Sequence, residues 1–197
     1  LWSYDLEGAK AVPGSYQVSL NVRGTSQIQS FNILKDPRST ASSADFKAQF
    51  DFVQSVGDKL TAAHRAIREI RQVRAQVKEM KTLGDKAEQF AAVRALASRI
   101  DSTMTAVEEA IYQTKNRSSQ DPLNYPVRLN DKLANLMGVN VGDDFPPTRQ
   151  SLEVRQTLFE QTDKQLAIWA KIKQNELPEL NRLARSVQVD YIRVKKE

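Results

Sequence analysis

Cysteine is absent and histidine occurs once, at His64. The first absence removes disulfides, thiolate nucleophiles and cysteine zinc sites together, and leaves the redox compartment open. The second makes any histidine dyad or metal site depend on His64 alone, with no nucleophile-elbow sequence to support a Ser-His-Asp arrangement. A di-iron bundle is excluded as well, because it needs two Glu-x-x-His pairs and two further carboxylates. The glycines number seven and stand apart, so no Gly-x-x-x-x-Gly-Lys loop exists to cradle a phosphate. No apolar run approaches the roughly 20 residues of a membrane-crossing helix. No repeat with a period of roughly 20 to 50 residues is found. Leu1 is not an initiator methionine and no basic-then-apolar leader follows it, as expected of a processed or excised piece of a larger protein.

What is present is ordinary in bulk and uneven in arrangement. With 197 residues, 40% hydrophobic and 27% charged, the chain can bury roughly 70% of its unfolded surface and so build a core. Pro13-Gly14 opens an alternating run in which Tyr16, Val18, Leu20 and Val22 point to one side. Arg23-Gly24 turns the chain, and residues 27–34 return towards Asp36-Pro37-Arg38. Phe31 and Ile33 share a side but Ile28 does not, which predicts a bulge or a later strand start. A lone hairpin is marginal in water, so residues 1–38 are expected to be the last strands of a truncated β-domain. Leu1 to Leu6 would be the end of one more strand.

Residues 39–197 are helical in pattern. The first helix is predicted from about Ser43, with Asp45 in its first turn. Its stripe runs Phe46, Phe50, Val53, Val56, Leu60, Ala63, Ile67, Ile70, Val77 and Met80, weakest at Val73 or Arg74. About forty residues make a rod of roughly 60 Å. Leu83-Gly84-Asp85 is the turn, with Gly84 placed for a left-handed cap. The second helix has a heptad seam at Phe90, Val93, Ala97, Ile100, Met104, Val107 and Ile111, which serves packing within one chain or between two copies equally well. A loop over 116–125 precedes a short helix carrying Leu129, Leu133 and Leu136, and a second loop spans 138–147. Thr148 caps a third long helix that Pro178 is expected to break or kink. The fold class predicted is mainly α: an antiparallel bundle of three long helices plus a short one, preceded by a β-hairpin.

Side chains with chemical potential are few. His64, one residue off the seam, is expected to be a satisfied boundary histidine. Glu108-Glu109 are helical neighbours about 100° apart and cannot share one proton, so at least one is exposed. Asp143-Asp144 fall short of the six to eight oxygens that calcium takes. Trp169, between Leu166 and Ile172, is expected in the core. Asn116-Arg117-Ser118 matches the glycosylation triplet, which matters only in a eukaryotic secretory setting. No catalytic, cofactor or metal residue is nominated, and the chain alone is not expected to be an enzyme.

The net charge of +5 is concentrated in one helix: between residues 65 and 81 stand Arg65, Arg68, Arg71, Arg74, Lys78 and Lys81 against Glu69 and Glu79. At these spacings the bases spiral around the helix. They are either a solvated outer face or a contact for an anionic polymer, polysaccharide or nucleic acid. No aromatic interleaves with them, which argues against single-stranded nucleic acid.

Pro13-Gly14-x-Tyr16-x-Val18-x-Leu20, then Lys35-Asp36-Pro37-Arg38, then Ala48-Gln49-Phe50-Asp51 form one set of motifs. Arg128-Leu129-Asn130-Asp131-Lys132-Leu133-Ala134-x-Leu136 and Pro147-Thr148 form another. Together they resemble the C-terminal region of large bacterial sortilin-like β-propeller proteins, often labelled BNR-repeat glycosyl hydrolases. The resemblance spans residues 12–183 and its motifs are short and structural. It implies that the hairpin closes an immunoglobulin-like sandwich lying between a propeller and a helical tail. It also implies export to the periplasm or beyond, with the propeller and sandwich of the parent chain as partners. The hydrolase label belongs to the propeller, so no catalytic residue transfers. Three functional classes follow: a structural or interaction module, a basic helical binder of an anionic polymer, and an enzyme completed only by the propeller.

Overall fold

The computed structural model describes residues 7–83, 87–118, 120–142 and 144–187. The predicted cap at Gly84, half of the Asp143-Asp144 pair, the expected extra strand at residues 1–6 and the last residues fall outside these ranges.

Two strands, β1 (Gly14–Val22) and β2 (Thr25–Ile33), form an antiparallel pair with unbroken register from Gly14 opposite Ile33 to Val22 opposite Thr25. Arg23 and Gly24 both take positive φ, 49° and 84°, which is the two-residue turn whose twist matches paired strands. That turn fixes the register, and the predicted bulge does not occur. β2 starts at Thr25, and Ile28 falls opposite Ser19 on the polar face. Tyr16, Val18, Leu20 and Val22 share the other face with Phe31, whose ring lies 5.9 Å from that of Tyr16.

The helices are α1 (Ser43–Lys81), α2 (Ala91–Ile111), α3 (Leu129–Val141), α4 (Arg149–Lys171) and α5 (Leu177–Ser186). α1 begins at a capping box one residue before the predicted start: Ser42 accepts from the Asp45 amide, and Asp45 accepts from the Ser42 amide at 2.8 Å. Val73 is fully buried, so the stripe of α1 has no weak point there. Near its start Phe52 fills the core, whereas Phe46 and Phe50 are only half-buried. Gly138 lies inside α3 and not in a loop, because the helix runs on to Val141.

Cross-helix pairs set the direction of each rod. Lys81 meets Asp101 and Arg74 meets Glu108, so α2 runs antiparallel to the second half of α1. Gln49 reaches the carbonyl of Asn140 while Gly57 adjoins Met137, so α3 runs antiparallel to the first half. Ser55 meets Arg155 and Glu69 meets Lys173, so α4 runs parallel to α1. The bundle is therefore three rods, up, down and up, with α2 and α3 sharing the middle one and the segment 112–128 interrupting it.

The third rod does not break at Pro178. A single π-helical turn, Ile172–Glu176, joins α4 to α5. Proline lacks the amide that would bond the fourth residue back and crowds that residue's carbonyl, and the wider turn relieves both. Buried positions then step Trp169, Ile172, Leu177, Leu180, Ala184, with the extra residue taken up between Ile172 and Leu177. The core is one continuous cluster through all the helices. Among the described residues no helix is long and apolar enough to cross a membrane.

Candidate functional site

The six bases of α1 divide into two groups. Arg71 Nε donates to Glu108 Oε1 at 2.7 Å, and Arg74 donates to Glu108 Oε2. Arg74 also faces Asp101 at 3.4 Å, and Lys81 donates to the same carboxylate at 2.5 Å. These three bases join α1 to α2 through two acids, and the Arg71 guanidinium rests 5.0 Å above the Tyr112 ring. Arg65, Arg68 and Lys78 remain exposed. Arg65 and Lys78 stand 13 residues apart on the helix, about 20 Å, with Arg68 and the half-exposed, paired Arg71 between them.

Glu108 explains the pairing. It is the buried member of the Glu108-Glu109 couple, and Glu109 is exposed. Burial pushes its carboxyl up, but the bonds from Arg71 and Arg74 outweigh that and hold it below the usual glutamate range. Glu69 is similar: burial opposes ionisation, and donation from Lys173 Nζ at 2.7 Å and Trp169 Nε1 at 2.8 Å lowers its pKa. Trp169 is thus a core residue whose one polar atom is bonded.

His64 is half-buried, and burial together with the Arg68 charge depresses its pKa while Asp131 works the other way. It borders a recess of about 320 Å³ between α1 and α3, roofed by Gly8 and Ala9. Residues 8–12 therefore lie along the bundle before the chain enters β1, and Lys10 Nζ donates to the Gly142 carbonyl at 3.0 Å. Among the described residues no cluster of three or more histidines or acids is placed to hold a metal ion.

Two further surfaces stand out, one on the hairpin expected to be part of a truncated β-domain and one that sequence reasoning missed. The apolar hairpin face is open: Val18 is 53% exposed, Leu20 61% and Val22 54%, and both outer strand edges are unpaired among the described residues. The hairpin is expected to dock on the bundle as a remnant of its β-domain, but its sheet packs on no helix as a layer. The second surface is a groove of about 340 Å³ at the interruption of the middle rod, where Arg128 and Lys132 of the α3 start face Lys164 of α4. Nothing in the sequence links Lys164 to bases 32 and 36 positions earlier. Compared with family models, with curated proteins and with solved structures, the chain matches none.

Proposed function

We propose that this chain is a non-catalytic structural and interaction module, the C-terminal region of an exported bacterial protein built on a sortilin-like β-propeller. The observation that carries this reading is the hairpin. Two strands whose apolar face and edges are uncovered among the described residues are not a stable sheet in water on their own. A β-domain that lends them further strands and a second sheet would bury Val18, Leu20, Val22 and Phe31. In this reading the hairpin is the end of an immunoglobulin-like sandwich, and the bundle is the rigid body attached to it. The segment 8–12 along α1 and α3, with Lys35 Nζ donating to the Ala41 carbonyl at 2.6 Å, ties sheet to bundle on both sides of the hairpin. The module would orient the propeller or dock a protein partner in the periplasm or outside the cell.

Deleting the module from the parent protein tests this. The propeller should stay folded while its assembly or ligand binding changes. Unchanged oligomeric state and unchanged binding would sink the proposal.

A further inference from the structure

We propose that the interruption of the middle rod is a binding site for a compact dianion of the phosphate class. This inference is independent of the module's place in a larger protein. Arg128, Lys132 and Lys164 converge on the groove from α3 and α4, and no acidic side chain lines it. Elsewhere in the bundle Lys59, Arg71, Arg74, Lys81 and Lys173 each meet a carboxylate on a neighbouring helix. Among the described residues the three groove bases have no side-chain partner of this kind, so their charges add over a concave surface. Such a surface concentrates field lines on whatever anion enters.

The donors of the groove favour oxygen ligands. Arg128 Nε is closed off from solvent and has no hydrogen-bond acceptor among the described residues, so an anion in the groove would be met by the outer guanidinium nitrogens. Arg128 also occupies the N-cap position of α3, and its own backbone amide donates to the Asp131 carboxylate at 3.3 Å. The Asp131 carboxylate in the first turn already balances part of the positive end of this helix, so the pull on an anion comes from the three bases. Gln161 and Gln165, one turn apart on α4, supply amide donors on the opposite wall. Apolar Val127 and Leu129 leave room beside the charge for the uncharged part of a phosphorylated small molecule, and the groove volume is at the small end of the ligand-pocket range.

The test is a ¹⁵N NMR titration of the whole chain with inorganic phosphate, with sodium chloride at matched ionic strength as the control. Saturable shifts are expected at the Leu129, Asn130 and Lys132 amides and around Lys164. Lys132→Gln with Lys164→Gln should weaken binding roughly tenfold or more, as loss of two charge-assisted contacts implies. Both side chains are exposed, so the fold should survive. Lys164→Gln alone, on a different helix from the α3 start, gives the same answer with a smaller loss. Shifts reproduced by chloride, shifts centred on Arg65 and Lys78, or affinity unchanged in the variants would each overturn the proposal.

Discussion

Tyr16, Val18, Leu20 and Val22 alternate along β1 as strictly as Val93, Ala97, Ile100, Met104, Val107 and Ile111 step along α2. The α2 residues are all buried, with Ile100, Met104 and Ile111 at no measurable exposure, whereas the strand residues beyond Tyr16 are more than half exposed. The two stripes are equally regular, and among the described residues only the helical one has a partner. Amphipathic pattern selects the local structure, but burial against a partner makes it stable, because each apolar side chain contributes only once it leaves water. The hairpin has the right turn, the right register and one aromatic pair, and it lacks the second layer.

The sharpest way to break this comparison is to truncate one residue on each side of it. Ile70→Ala removes a fully buried core side chain of α1 and should cost about 2–5 kcal/mol in urea unfolding. Leu20→Ala on the open strand face should stay within about 0.5 kcal/mol. Equal costs would mean that the hairpin face is covered after all.

Next in size is the charge network that joins α1 to α2. Glu108→Ala leaves Arg71 and Arg74 without their shared carboxylate, and a buried pair broken on one side is costly. The two guanidinium side chains keep 52% and 29% exposure and can turn towards water, so about 1–3 kcal/mol is expected. The sign of the pH effect follows from the lowered pKa values of Glu108 and Glu69. Their folded values lie below the unfolded value of 4.5, so their contribution is complete above pH 4.5. It is lost as pH falls through the folded values. Urea melts between pH 7 and pH 3 should show this acid limb in the parent chain and a shallower one in Glu108→Ala.

Much of the architecture was legible before the fold was known. The α1 stripe, the α2 seam, the turn at Arg23-Gly24 and the cap near Ser43 all come from interactions within about four residues, which periodicity reports directly. The middle rod was not legible, because two helices of unequal length share one rod only by virtue of what α1 presents along its 39 residues. The π-turn was half visible: a step of five from Ile172 to Leu177 just before Pro178 is the signature of an added residue in a helical stripe. The charge sites were the least legible. Arg71 and Arg74 look like solvated bases until Glu108, 37 and 34 positions away, is set against them. Arg128 and Lys164 look unrelated until α3 and α4 are packed.

A smaller effect should stabilise the covered side. Gly138 lies within α3, and a methyl group added there would meet nothing within 4 Å. Gly138→Ala should therefore raise stability by about 0.5–1 kcal/mol, since alanine has less backbone freedom to lose on folding. A thermal melt shifted upwards is the expected result, and no shift would mean that this end of α3 is frayed.

The smallest change addresses the open side. Arg23 holds φ at 49°, a left-handed conformation that asparagine adopts at lower cost, and Asn-Gly is the preferred pair for this turn. Arg23→Asn should favour the hairpin by a few tenths of a kcal/mol, slowing amide exchange across β1 and β2 by less than about threefold. The bundle's unfolding midpoint should not move, because the turn contributes nothing to the helical core. A midpoint that rose together with strand protection would show sheet and bundle unfolding as one cooperative unit, and the contrast between the two regions would then be one of exposure alone and not of stability.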